Sequence, residues 1–232
     1  MNYKVIAIVP SAGRGRRFSP NINKPFQDLG GKPLVVWSIE TLESVDEIAE
    51  IIPVLRKEDM ERGVEVFERY KLSKIKRIAP GGKERQDSVY NGLKLVEDKN
   101  CIILIHDGVR PLIEKPLIQE VIKELKGFDG VVLGVPIKDT IKEAKGGIIK
   151  KTLRRDSIWA IQTPQVFPYI NILTAYERAM KEGFYLTDDA ALVEGYGGKI
   201  KVIMGSYRNI KITTPEDLII AECLLSSKRN NQ

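Results

Sequence analysis

The 232-residue sequence predicts an α/β fold: an open, mostly parallel sheet with helices on both faces, plus one projecting β-arm. Three observations carry that expectation. Short apolar runs rich in β-branched residues alternate with amphipathic segments of helical length, the pattern of βαβ units. The runs are near-continuous rather than alternating, as strands covered on both faces must be. One highly charged stretch, residues 138–167, breaks the alternation and has too little apolar surface for a core of its own.

The elements follow in order. "KVIAIV" (4–9), "IAEIIPVL" (48–55), "IKRIA" (75–79), "CIILIH" (101–106) and "GVVLGVP" (130–136) read as buried strands. Between them lie helices. "KPLVVWSIETLES" carries Pro33 near its start, and "EKPLIQEVIKELKG" carries Pro116 early and Gly127 as a stop. "RKEDMERGVEVFERYK" and "KERQDSVYNGLKLVED" are the other two. In 138–167, a Gly146–Gly147 turn separates two short alternating runs, a hairpin signal. Helices over about 169–182 and "TDDAALVEGYG" come next, then "KIKVIMG" and "NIKIT" as closing strands. In "TTPEDLIIAECLL", Thr214 caps, Pro215 takes the first turn, and Glu216 and Asp217 suit the positive dipole end. The whole is Rossmann-like, and such sheets hold ligands outside the carboxyl ends of their strands.

Composition narrows the function. A chain of this mass buries roughly 70% of its unfolded surface, enough for one compact domain. The net charge is +6, with basic residues scattered and no basic stretch studded with aromatics. That favours a small anionic substrate over nucleic acid. Cys101 and Cys223 stand far apart in apolar contexts, which reads as two buried thiols in a reducing cytosol. The N-terminal apolar run is too short for a signal peptide and no stretch could span a membrane, so a cytoplasmic protein is expected.

Several loops carry chemistry. "G-R-G-R-R-F" (13–18) follows the first strand, where backbone N–H groups of a Gly-rich turn can cradle phosphate. Phe18 stands where a dinucleotide fingerprint needs its third glycine, and the P-loop ending is missing. Arg14, Arg16, Arg17 and Lys24 crowd this loop instead, a charge that matches a triphosphate. Those features count against a nicotinamide-dependent oxidoreductase. "APGGKERQDSV" (79–89) sets a Gly-Gly turn between strand and helix, where backbone can approach a planar base closely. "IHDGVRP" (105–111) places Asp107 at a strand's carboxyl end, suited to a ribose hydroxyl or a Mg²⁺ shell. His106, the only histidine, reads as a hydrogen-bonded structural group in preference to a catalyst. Without a second histidine or clustered cysteines, a transition-metal site is not expected. Lys138, Thr140, Arg154 and Arg155 lie on the charged segment, and Lys211 just before the last helix.

Taken together, "PSAGRGRRF", "NKPF", "GGKERQDSV", "HDGVRP", "VPIKDTIK", "LRRDSIWAIQTPQVF", "TDDAALVEGYGG" and "GSYRNIKITTPEDL" resemble one family. It is the 2-C-methyl-D-erythritol 4-phosphate cytidylyltransferases of the non-mevalonate isoprenoid pathway. The resemblance implies a single domain over 1–232, of the nucleotide-diphospho-sugar transferase type, with 137–160 as a β-arm that embraces a second subunit in a homodimer. It implies CTP and the alcohol phosphate as substrates and Mg²⁺, held mainly by CTP, as cofactor. Carried over residue by residue, Arg17 and Lys24 stabilise the transition state. Arg155, Lys211 and the partner's Thr140 position the alcohol phosphate. Ser11, Ala12, Gly13, Arg14 and Gly15 line the CTP site with Gly82, Lys83 and Ser88, and Asp107 and Gly108 lie by the ribose. Ser11 and Val109 stand where that family often has alanine, and Lys83 where it commonly has an acid. A valine at the place of Val109 also occurs in the related ribitol-5-phosphate cytidylyltransferases, which leaves ribitol phosphate as an alternative substrate. A non-catalytic nucleotide-binding module is the other alternative.

Overall fold

The structure, a computed structural model, describes residues 4–13 and 24–229. Its strands are β1 (Lys4–Pro10), β2 (Asp28–Leu29), β3 (Lys32–Pro33), β4 (Ile48–Leu55), β5 (Ala79–Pro80), β6 (Cys101–Ile105), β7 (Gly130–Pro136), β8 (Lys142–Lys145), β9 (Ile148–Thr152), β10 (Trp159–Pro168) and β11 (Ile200–Met204). The α-helices are α1 (Leu34–Glu43), α2 (Met60–Arg69), α3 (Arg85–Lys94), α4 (Lys115–Lys123), α5 (Tyr169–Glu182), α6 (Asp189–Gly195) and α7 (Pro215–Arg229).

Seven strands form one sheet in the order β11-β7-β10-β6-β1-β4-β5. All its pairings are parallel except those of β10, which runs antiparallel between β6 and β7. β1 lies between β6 and β4, so consecutive βα units wind away from it in opposite directions. That is the switch point at which open α/β sheets leave a crevice. Both faces are covered. On one, Val5, Ala7 and Leu104 pack with Val35 and Ile39 of α1, Phe67 of α2 and Ile118 of α4. On the other, Ile6, Ile8 and Ile103 pack with Val89 of α3, Tyr176 of α5 and Leu192 of α6. α7 lies apart from both faces, with Ala221 and Leu225 against Leu29, Leu34 and Ile212.

Several sequence expectations shift. β10 emerges from inside the charged stretch, because Gln162, Pro164 and Gln165 disguise a strand whose register slips between the two glutamines. The 75–79 run keeps only a bridge at Ile75 and the short β5. Arg77 turns aside to the buried Glu50 of β4, with N–O distances of 2.8 and 3.1 Å. "NIKIT" is not a strand: its Ile212 is buried and donates its amide to the Val109 carbonyl at 2.9 Å. Cys101 is buried as expected, but Cys223 is exposed on α7, beside the equally exposed Ile219 and Ile220. Apolar sequence neighbours therefore do not place Cys223 inward. β8 and β9 do form a separate hairpin, with every residue exposed. Its Gly146 and Gly147 take φ of +58° and +79°, the left-handed pair that a two-residue hairpin turn demands. Trp159 and Ala160 already pair with β7.

Candidate active site

Three turns meet at the carboxyl edge of the sheet. Ser11, just past β1, donates its amide to the Val54 carbonyl at 2.8 Å and its hydroxyl to the Val9 carbonyl at 3.3 Å. Gly81, just past β5, donates its amide to the Leu55 carbonyl at 2.6 Å. The Gly82 amide donates to Ser88 Oγ at 3.0 Å, and that hydroxyl donates to the Glu84 carbonyl at 3.1 Å. Past β6, the Gly108 amide donates to the Pro10 carbonyl at 3.3 Å. The turns touch so closely that side chains are excluded. A Cβ at Gly81 would stand 2.3 Å from Ala12 Cβ, and one at Gly108 would stand 2.1 Å from Ser11 Oγ. Gly13 and Lys83 lie on the exposed side of these turns.

Asp107 is the centre of the charged part. Its side chain is only 7% exposed, yet three cations surround it. Lys211 Nζ lies 2.8 Å from Oδ2, Arg85 Nε lies 3.1 Å from Oδ1, and Arg110 Nε stands 3.8 Å from Oδ2. Burial alone would raise the carboxyl pKa, but Arg85, Lys211 and Arg110 hold it well below the usual carboxylate range. Arg85 also grips the fully buried Asp189 at the start of α6, through two parallel bonds of 2.9 and 2.8 Å. Burial opposes the Arg85 charge, and Asp189 and Asp107 overcome that and raise its pKa. Arg85, Asp107, Arg110 and Lys211, with Thr163, Gln165 and Asp188, line a cleft of about 340 Å³.

His106 lies beneath this cluster, fully buried. Its Nε2 is 3.2 Å from the Arg110 carbonyl and its Nδ1 is 3.2 Å from Thr163 Oγ1. A carbonyl only accepts, so Nε2 carries the proton and Nδ1 accepts from Thr163. Thr163 Oγ1 in turn accepts the Asp107 amide at 3.0 Å. The ring is thus a neutral brace that fixes the Asp107 turn against β10. Burial is the main reason its pKa falls from 6.5 to about 4. The unfolded chain takes up this proton near 6.5, while the native chain resists it until about 4. The native state therefore loses up to about 3 kcal/mol as pH drops through that window. Thermal unfolding between pH 7 and 4.5 should show a flatter decline in Tm for His106→Gln than for the parent. Parallel declines would count against the neutral brace.

The expected site residues fall into four groups. Ser11, Ala12, Gly82, Ser88, Asp107, Gly108 and Lys211 come together at the strand ends. Lys24 sits in a buried 3₁₀ turn, Lys24–Phe26, where Pro25 and Phe26 are buried with it. Arg155 and Thr140 are exposed at the base of the hairpin. There Arg155 Nη1 donates to the Lys138 carbonyl at 2.7 Å, and neither residue lines the cleft. Arg14, Gly15 and Arg17 lie outside the described residues. Arg85, Asp189, Thr163 and Gln165 carried no assigned role in the sequence, although each sits inside a quoted motif. Asp189 had a signal, since a second acid in "TDDAA" is more than one helix cap needs; Asp188 caps α6 through the Ala191 amide at 3.0 Å. Among the described residues, no three His, Cys, Asp or Glu side chains form a metal cage. Asp107 is already engaged by cations, so the donor set does not fit a metal held by the protein alone.

The cations around this cleft can bind an anion and offset charge that develops on it. Fold and site together define an α/β enzyme of the nucleotidyltransferase class. The profile of the 2-C-methyl-D-erythritol 4-phosphate cytidylyltransferases matches residues 5–227. The chain is 47% identical over 227 residues to the enzyme of that name from Clostridioides difficile, covering 97% of this chain and 95% of that one. It is 46% identical over 224 residues to the one from Caldanaerobacter subterraneus subsp. tengcongensis, covering 95% and 98%. Its fold superposes on the crystal structure of 4-diphosphocytidyl-2C-methyl-D-erythritol synthase from Anaerococcus prevotii with a TM-score of 0.86, at 35% identity over 97% of both chains. The chain belongs to the 2-C-methyl-D-erythritol 4-phosphate cytidylyltransferase family.

Proposed function

We propose that this enzyme transfers CMP from CTP to 2-C-methyl-D-erythritol 4-phosphate, forming the CDP-alcohol and releasing pyrophosphate, as a step of isoprenoid biosynthesis. The observation that carries the reading is the cleft that gathers Arg85, Arg110 and Lys211 around Asp107 in a chain that matches the family from 5 to 227. The attacking group is a phosphate oxygen. A phosphomonoester has a second pKa of about 6, so it is already mostly dianionic at neutral pH. No general base is needed, which suits a histidine locked as a neutral brace. The barrier is electrostatic: an anion attacks an anionic α-phosphate, and fixed cations offset the developing charge.

The turns after β1 and β5 take the nucleotide, with Ser11, Ala12, Gly13, Arg14, Gly15, Gly82, Lys83 and Ser88 at the base and phosphates. Asp107 and Gly108 take the ribose side. Arg17 and Lys24 act on the reacting phosphates, and Lys211 holds the alcohol phosphate. Mg²⁺ bound with CTP would supply further charge neutralisation beside these cations. The enzyme works in the cytoplasm as one unit over 1–232. The free thiols of Cys101 and Cys223 support a reducing compartment.

The arm, which leaves the sheet after Pro136 and rejoins it at Trp159, brings Thr140 and Arg155 to a second copy. Its support is apolar surface left uncovered on both sides of such a contact. Ile148 and Ile149 are 65% and 60% exposed on the arm, and Val202 and Met204 on β11 are 37% and 54% exposed. Arg155→Ala should raise KM for the alcohol phosphate by roughly tenfold or more, with KM for CTP little changed. Equal effects on both constants would point away from a dedicated phosphate contact. The overall test is pyrophosphate release with CTP, UTP or ATP against methylerythritol phosphate or ribitol 5-phosphate. Turnover confined to CTP with methylerythritol phosphate is expected; a preference for ribitol phosphate would reassign the substrate.

A further inference from the structure

We infer that Arg85, anchored by Asp189, is a positioning residue that lets Asp107 release Lys211 to the incoming phosphate. The inference rests on the reading above that Lys211 holds the alcohol phosphate.

The three cations around Asp107 are not equivalent. Lys211 is 39% exposed, lines the cleft and touches the carboxylate through a single point charge at 2.8 Å. Arg85 is tied down three times, twice to Asp189 and once to Asp107. Asp189 is itself immovable: fully buried, at the first turn of α6, and holding the hydroxyl of the buried Tyr176. Arg110 faces Asp107 at 3.8 Å, beyond hydrogen-bond distance, and its Nη1 is bound to the Asn209 carbonyl at 2.7 Å. Lys211 is therefore the cation free to leave. When it does, Asp107 remains a buried carboxylate, and among the described residues Arg85 is the one hydrogen-bonded cation that stays. A buried charge left without such a partner is strongly unfavourable. Without Arg85, Asp107 keeps Lys211, and the phosphate loses its ligand. Arginine suits this role because its planar fork spans two carboxylates; a lysine ammonium can serve one well but not both.

Among the described residues, the titratable groups around Asp107 are Arg85 from α3, Asp188 and Asp189 from the start of α6, Lys211 from the segment before α7, and His106 and Arg110 from its own turn. Arg85 is the largest of the charges that lower the Asp107 pKa, consistent with its being the principal partner.

A double-mutant cycle read through KM tests this. Arg85→Lys should raise KM for 2-C-methyl-D-erythritol 4-phosphate by roughly tenfold with KM for CTP nearly unchanged. In a Lys211→Ala background the same Arg85→Lys change should add almost nothing, because there is no longer a lysine to release. Equal effects of Arg85→Lys in both backgrounds, or none in either, would overturn the inference while leaving Lys211 as a phosphate ligand. An unchanged KM in Lys211→Ala alone would overturn the underlying reading as well. Should Arg85→Lys fold poorly, the charge-neutral pair Arg85→Gln/Asp189→Asn removes both partner charges together and must give the same KM pattern.

Discussion

Lys24→Ala and Arg17→Ala should each lower turnover by about 10² or more at saturating substrate, by analogy with loss of one transition-state donor. The setting of Lys24 suits it to this role. A surface lysine swings freely and is worth little, but Lys24 is only 9% exposed and sits in a 3₁₀ turn whose Pro25 and Phe26 are buried. Arg62 covers the Phe26 ring at 4.8 Å, pinning the turn from outside. A charge held in this way has little reorganisation left to undergo when the triphosphate breaks. The loss should therefore appear in kcat at saturating CTP and alcohol phosphate, while Tm stays within a few degrees of the parent. Arg17 lies outside the described residues, and its prediction rests on the family motif alone. Near-normal turnover in both variants would falsify the proposed catalytic role of this loop.

Gly81→Ala should raise KM for CTP by one to two orders of magnitude, since overpacking of this kind costs typically 1–3 kcal/mol. The new Cβ would stand 2.3 Å from Ala12 Cβ and 3.3 Å from the Leu55 carbonyl oxygen. Neither neighbour has a rotamer with which to retreat. The backbone of one nucleotide-binding turn must then move away from the other, and the 2.6 Å bond from the Gly81 amide to Leu55 moves with it. Compensation gives the sharper measurement. Ala12→Gly removes the carbon that is struck, so Gly81→Ala/Ala12→Gly should recover most of the CTP affinity lost in Gly81→Ala. A double variant no better than Gly81→Ala would mean that the two turns do not read the nucleotide through their mutual contact.

Both predictions concern residues singled out in the sequence, or next to one, and their reasons differ. Lys24 and the Gly81–Gly82 turn were legible because they interrupt a pattern: cations and glycines immediately after apolar strands. The βα alternation was equally legible, since period and burial are local properties of the chain. β10 was not, because Gln162, Pro164 and Gln165 look like loop residues until β6 and β7 supply partners on either side. "NIKIT" failed in the opposite way. Its alternation suits a strand, yet Asn209 and Ile212 are spent on Thr163 and Val109 rather than on a sheet.

The sequence by itself determined the α/β architecture, the placing of glycine turns and cations at the strand ends, and, through its motifs, the class of chemistry. Only the tertiary structure decided how the charges are shared. Arg85 and Asp189 are 104 positions apart, and Lys211 comes to Asp107 from another part of the chain. Strand and helix follow from the order of neighbouring residues, whereas a buried ion's partner depends on which distant segments the packed core brings within about 3 Å.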